Sequence, residues 1–376
     1  MASAPLPFLD ELLPIHVRPE RPRPDALAAT ALLGADFDRA FRAAIEEEGV
    51  LGEALRHHFR FSGGLSRARL GLDAGDALDL DRAVSVPFAV ACELLHNASL
   101  VHDDIQAREG LRRGQSSVWA QFGEDIAARV GDFLLTKAFE VAAAAPVDPS
   151  HALDVLQAFT RATTAVVQSQ MAESEALGCG AFELNRFREI ARDKVGPLIA
   201  LPVQAALAAT GDAGRSVDDV NAAFQILGIV DQIQSELADL IGREGRGAGR
   251  AVETDRPNLV IALHEELVDD QIRNRLAAAR TLALSRPDHL ESLALELSVS
   301  PAVDHAFFFA DQIVEHARTR ARSLPQALQG TFDRCATRLV APLDQLRALH
   351  GRPGQTLAVA IEAHSRSEEI LVEARG

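Results

Sequence analysis

The chain has 376 residues, 47% of them apolar, and a formal net charge of −16; it is long enough to bury one large core or two ordinary ones, and too apolar to be disordered throughout. The acid excess excludes a broad nucleic-acid surface, because neutralising phosphates requires a basic one, so only local basic groups remain to hold an anion. Cys92, Cys179 and Cys335 lack metal-type spacing and read as reduced thiols, the expectation for a cytoplasmic protein.

Residues 1–25, rich in proline and arginine, are expected to form a loose arm. The opening MASAPLPFLDELLP has neither the basic region nor the apolar core of an export signal. No run approaches the roughly eighteen apolar residues of a membrane span. From there the dominant period is helical, with apolar residues three and four apart in DRAFRAAIEEEGVLGEALRHHF, VSVPFAVACELLHNASLVHDDI, EDIAARVGDFLLTKAFEVAAAA, ALDVLQAFTRATTAVVQSQMAESEAL and VNAAFQILGIVDQIQSELADLIG. Breaks fall at Pro, Gly and Asp clusters such as APVDPS, TGDAGRSVDD and GREGRGAGRAVETDRPN. With no fixed repeat and no low-complexity linker, the pattern predicts a single all-α domain over 26–350, and 351–376 as a tail or closing helix.

Two stretches carry chemistry. If residues 88–107 are helical, His96, Ser99, Leu100, Asp103 and Ala107 share a face, with Asp104 about 100° round. The acid pair then closes a mostly apolar helix, and Arg112 and Arg113 follow eight residues later. An isolated pair of aspartates is usually a solvated helix end, but here His, Asn and Ser sit inside a run that otherwise calls for burial. In the second stretch Asp231, Ser235 and Asp239 are spaced i, i+4 and i+8, lining one edge of a helix with oxygen ligands next to the apolar Phe224–Val230 segment. Two carboxylate clusters with arginines nearby suit Mg²⁺ bridging a diphosphate, since that ion prefers carboxylate and phosphate oxygens and neutralises charge on a departing group. Lysine occurs only at Lys137 and Lys194, so arginine is expected wherever either cation serves.

The stretch ELLHNASLVHDDIQ followed by RRG resembles the first aspartate-rich region of trans-polyprenyl diphosphate synthases, ELLHxASLxHDDxxDxxxxRRG. Weaker likenesses are SGGLSRARL to GGKxxRP, VVQSQ to the region ending in glutamine, RDKVGPLIAL to KTGxLF, and AFQILGIVDQIQ to FQxxDDxxD. The resemblance implies the isoprenoid synthase fold, an antiparallel helical bundle around a deep apolar pocket, generally a homodimer, with a prenyl diphosphate substrate and no nucleic-acid partner or membrane span. It further implies that Asp103 and Asp104 hold Mg²⁺, that Arg112 and Lys194 contact the allylic diphosphate, that His96 and Arg113 contact a homoallylic co-substrate, and that Gln170 lies near the diphosphate. Arg250 and Arg256 stand where the family has loop lysines, and Ala98 and Ser99 resemble the small residues of members with long pockets. Phe224 and Leu227 are expected in the pocket wall.

The departures are as informative. Ala107 replaces the third aspartate of the first motif, with Glu109 nearby. Leu65 or Ser66 replaces the lysine of GGKxxR, leaving Arg67 and Arg69 as heirs of its arginine. DQIQSELAD resembles the (N/D)DxxSxxxE metal motif of class I terpene synthases, with Asp231, Ser235 and Asp239 in the ligand positions and Gln232 departing from it. An enzyme that ionises an allylic diphosphate and has lost its elongation partner makes terpenes. The sequence therefore points first to a Mg²⁺-dependent terpene synthase on a polyprenyl synthase scaffold, acting on about fifteen to twenty-five carbons. The alternatives are a prenyltransferase using isopentenyl diphosphate and a non-catalytic regulatory subunit. Phe307, Phe308 and Phe309 have ring faces suited to cations, although core packing is the commoner role for such residues.

Overall fold

The computed structural model describes residues 29–61, 63–176, 184–241, 258–267, 297–298 and 300–350. The expected arm 1–25, the tail 351–376 and the loop holding Arg250 and Arg256 lie outside them. The described residues are helical apart from one short ribbon.

The elements follow the apolar spacing. Helix α1 (Ala35–Ile45) buries Phe37, Phe41, Ala44 and Ile45 on one stripe, and Phe41 meets Phe59 edge-on just past α2 (Gly49–His58). Helix α3 (Ser66–Ala77) begins at Leu65, whose backbone is left-handed. Helix α4 (Arg82–Gln106) is capped by Asp81, whose side chain accepts from Ala83 N, and runs past Pro87. It is long and apolar enough to cross a membrane, but most of it is buried within the bundle, as a central helix should be. Next comes a ribbon of β1 (Leu111–Arg112) and β2 (Gln115–Ser116). Its turn places both Arg113 and Gly114 at positive φ, the geometry of a tight hairpin whose twist matches its strands.

Helices α5 (Val118–Phe122), α6 (Glu124–Ala143) and α7 (Pro149–Ala176) follow, then α8 (Leu184–Ala209), interrupted by Pro197 and Pro202. Helix α9 (Ala213–Val220) passes through a π-helical turn at Asn221–Gln225 into α10 (Leu227–Ile241). Helices α11 (Leu259–Leu267), α12 (Pro301–Ala321) and α13 (Gln326–His350) complete the described chain.

Helix α4 packs on α3, α6 and α8, and α8 in turn packs on α7 and α10. One apolar cluster joins α1 to α8, and a second joins α8 and α10 to α11, α12 and α13. A third ties α3 to α8, α12 and α13. The approach of α8 to α10 depends on two glycines. A Cβ on Gly228 would lie 2.4 Å from Gly196 N, and one on Gly196 would lie 2.5 Å from Gln225 O. The two backbones therefore touch two residues beyond Lys194, and this brings its ammonium to the helix that carries the second acid cluster.

Candidate active site

Helix α4 ends in two aspartates with different surroundings. Asp104 is buried and forms a bidentate pair with Arg112, whose Nε lies 2.9 and 3.2 Å from the two carboxylate oxygens. Burial works against the Arg112 charge, yet Asp104, Asp103 and Asp239 together hold it above the ordinary arginine value. Asp103 instead accepts from Lys194 Nζ at 3.0 Å. The same ammonium donates to Glu173 Oε2 at 2.8 Å, joining α4, α7 and α8 in one ion network.

Lys194 and Glu173 line a cleft with Phe187, Ile190, Ala191, Gln232 and Glu236. Across it, α10 contributes Glu236, which is buried, accepts from Gln232 Nε2 at 2.8 Å, and accepts from Leu259 N at the start of α11 at 2.7 Å. Burial pushes the Glu236 carboxyl up to about 8, with Glu173 and Asp239 adding to the rise against the two hydrogen bonds. The cleft thus joins α7, α8 and α10, and Lys194 links it to Asp103 near the end of α4.

Basic groups act on His96, further back along α4. Burial, followed by Arg67, Arg113 and Arg112, drives the His96 imidazole well below its usual value. His96 Nδ1 is buried with no hydrogen-bond partner among the described residues. Arg113 is fixed by Phe61 O at 3.0 Å and Asn97 Oδ1 at 3.4 Å. Asn97 also bonds His58 Nε2 at 3.0 Å, and its amide donates to Glu93 O at 2.8 Å. Glu93 in turn accepts from Ala68 N in the first turn of α3, so the network sets the start of α3, and with it Arg67, against α4.

Other expected residues are placed differently. Asp231 does not open on the cleft with Glu236; it pairs with Arg67 Nη2 at 2.8 Å. Ser235 is exposed and Asp239 half-buried. Arg69 Nε donates to Gly64 O at 3.2 Å on the outer side of α3, while Leu65 is packed in the core. Ala98, Phe224 and Leu227 are also core residues, with Phe224 edge-on to Phe332. Their burial against neighbouring helices explains why helical spacing alone placed them in the pocket wall. Ser99 donates to His96 O at 2.7 Å, and Gln170 meets Gln106 through its backbone carbonyl at 3.5 Å. Arg347 lies over Phe307 and Arg188 over Phe309; neither ring lines the cleft described above. Trp119 donates to Glu109 O at 2.8 Å.

The sequence reading passed over Glu173 and Glu236. Glu173 lies three residues after Gln170, on the same helical face. Glu236 emerges when FQxxDDxxD is set with its glutamine at Gln232 rather than Gln225, which puts Ser235, Glu236 and Asp239 at the acid positions.

The Polyprenyl synthetase family model matches residues 48–281. The chain is 30% identical over 221 residues to the farnesyl diphosphate synthase of Geobacillus stearothermophilus, covering 57% of this chain and 74% of that protein. It is 27% identical over 277 residues to the geranylgeranyl pyrophosphate synthase of Geoglobus acetivorans, covering 73% and 84%. The crystal structure of geranylgeranyl pyrophosphate synthetase from Pyrococcus horikoshii Ot3 superposes with a TM-score of 0.73 at 24% identity, covering 84% of this chain and 98% of that one. Fold and acid-lined cleft together define an all-α isoprenoid synthase. The chain belongs to the polyprenyl synthetase family. These relatives fit elongation of a prenyl diphosphate better than the terpene synthesis that the departures first suggested.

Proposed function

We propose that the chain is a prenyltransferase that joins a homoallylic diphosphate to an allylic one. The observation that carries this reading is the set of cations Arg67, Arg113 and Arg112 acting on His96, which is half-buried with its Nδ1 buried and without a hydrogen-bond partner among the described residues. Ionising one diphosphate needs one anion site. A second set of cations, acting on His96, suits the diphosphate of a co-substrate. The names of the farnesyl and geranylgeranyl diphosphate synthases among its relatives point the same way.

In this reading Lys194 and Arg112 hold the allylic diphosphate at the cleft, and His96, Arg113 and Arg67 orient the co-substrate. Among the described residues no three acids stand together as a preformed metal site; Asp103, Asp104, Asp239 and Glu236, once it gives up its proton, would supply oxygens to Mg²⁺, which would neutralise the departing diphosphate. The allylic carbon–oxygen bond breaks, a carbon–carbon bond forms to the co-substrate, and a proton and pyrophosphate leave. Exclusion of water by the packed helices strengthens each charge contact and keeps the cation from being quenched.

The test is incubation of the purified protein with Mg²⁺ and geranyl, farnesyl or geranylgeranyl diphosphate, with and without isopentenyl diphosphate. A longer diphosphate formed only with the co-substrate is expected. A hydrocarbon or alcohol formed from the allylic diphosphate alone would overturn the reading in favour of a terpene synthase. No turnover, with stable co-purification of a partner synthase, would make the chain a regulatory subunit.

A further inference from the structure

Arg67 on α3 is 6% exposed, and two of its nitrogens are held by the protein. Nη2 donates to Asp231 Oδ2 at 2.8 Å and Nη1 to Ser66 Oγ at 2.9 Å. The third, Nε, is buried with no hydrogen-bond partner among the described residues. His96 Nδ1 is in the same condition, and Arg67 is the strongest charge acting on that ring. Buried polar atoms are nearly always paired, so an orphaned Nε on a buried guanidinium whose charge reaches an orphaned His96 Nδ1 marks a place for a ligand. A guanidinium cannot shed its proton, so that ligand must accept a hydrogen bond, and the cations Arg67, Arg113 and Arg112 acting at the site favour an anion.

Asp231 is therefore engaged before any metal arrives. Drawing its carboxylate toward an ion would strand a buried guanidinium, the costly way to break such a pair. The contact also spans 164 positions of sequence, from α10 to the first turn of α3. Neither Leu65, which is packed in the core, nor Ser66 supplies the charge of the motif lysine, and Arg69 donates to Gly64 O, so Arg67 is the cation that this part of α3 brings inward.

We infer that Asp231 is a positioning residue for the co-substrate diphosphate and not a metal ligand, holding Arg67 so that its Nε is presented beside His96. The identity of the anion as a homoallylic diphosphate rests on the prenyltransferase reading. The division of labour on α10 follows from it. Asp231 serves the co-substrate site through Arg67, while Glu236 lines the cleft and Asp239 acts on the Arg112 charge.

Two measurements on the full chain test this. The first is calorimetric titration of isopentenyl diphosphate into metal-free wild type, Asp231→Asn, Asp231→Glu, Arg67→Gln and the double variant Arg67→Gln/Asp231→Asn. The Asp231→Asn variant is expected to bind about tenfold more weakly, the scale of one hydrogen bond to a charged group, with Asp231→Glu recovering most of the loss. The double variant, in which both charges are absent and no buried cation is stranded, should bind as weakly as Arg67→Gln alone, because Asp231 acts only through Arg67. That comparison decides the matter even if Asp231→Asn does not fold.

The second is steady-state turnover. Asp231→Asn should raise KM for isopentenyl diphosphate with a much smaller change in kcat and an unchanged half-saturating Mg²⁺ concentration. A rise in the Mg²⁺ requirement at constant KM would make Asp231 a metal ligand and overturn the inference. So would equal binding by all variants, or no binding by the wild type. A wild type that binds isopentenyl diphosphate through this pair and never elongates would overturn the prenyltransferase reading alone.

Discussion

Asp103 and Asp104 are adjacent in sequence and face opposite electrostatic tasks. The Asp104 side chain is 2% exposed and locked to Arg112, whereas the Asp103 side chain is 21% exposed and shares Lys194 with Glu173. Breaking a buried pair by removing one charge costs about 3 kcal/mol. Asp104→Asn is therefore expected to lower unfolding stability by that amount and to abolish turnover, while Asp103→Asn abolishes turnover and leaves stability within about 1 kcal/mol. Denaturant titration beside an activity assay separates the two. Arg113 shows the same coupling of site and structure. It is a non-glycine residue at φ +56°, kept there by its bonds to Phe61 and Asn97, and such strain persists where surrounding contacts over-determine it. His58, bonded to Asn97, is held neutral by burial and by Arg113, with its value lowered to about 3. A depressed base contributes stability that is complete above the unfolded value near 6.5 and is lost as pH falls toward the folded value. By pH 5 the loss is about 2 kcal/mol. A His58→Gln variant should lack that part of the slope when denaturant midpoints are compared at pH 7 and pH 5.

At the scale of elements, the site depends on how closely α8 can approach α10. Gly196 and Gly228 meet backbone to backbone, so a methyl group has no flexible neighbour to displace. Gly196→Ala should force the helices apart, lowering stability by about 2 kcal/mol or more, as overpacking does, and reducing turnover because Lys194 lies two residues away. A thermal melt and a kcat measurement check this. The helices themselves were legible in the sequence, since the three-and-four spacing of Val86, Ala89, Val90 and Leu94 or of Phe37 and Phe41 fixes the buried stripe. The π-helical turn at Asn221–Gln225 was not, because it shifts register within an apolar run whose composition does not change. The contact of Gln232 with Glu236 lies beyond that turn. Within the regular turns of α10 the strip of Asp231, Ser235 and Asp239 misses Glu236, which lies about 100° round from Ser235 and is the acid that lines the cleft. Asp103, Asp104, Arg112 and Lys194, all singled out by motif, are paired in the structure as Lys194 with Asp103 and Arg112 with Asp104.

On the scale of the whole molecule, the acid-lined cleft is closed by the protein's own cations. Lys194 bridges Asp103 and Glu173, Arg112 holds Asp104, and Arg67 holds Asp231. A diphosphate arriving alone brings further negative charge to Asp103, Glu173 and Asp239, and Mg²⁺ arriving alone must compete with Lys194 for Asp103. Together they satisfy each other, the ion meeting the carboxylates and the diphosphate meeting the ammonium and guanidinium groups. Stabilisation by a ligand follows its occupancy of the folded state, about 2.7 kcal/mol at a hundred times Kd. Thermal melts are therefore expected to rise little with Mg²⁺ alone or with inorganic pyrophosphate alone, and by several degrees with both. Lys194→Met removes the competitor for Asp103 and a partner for the anion at once, so it should increase the shift with Mg²⁺ alone and diminish the joint one. Additive shifts in the wild type, or a joint shift that Lys194→Met leaves intact, would show that ion and diphosphate bind apart, and the two helices would then enclose separate sites instead of one.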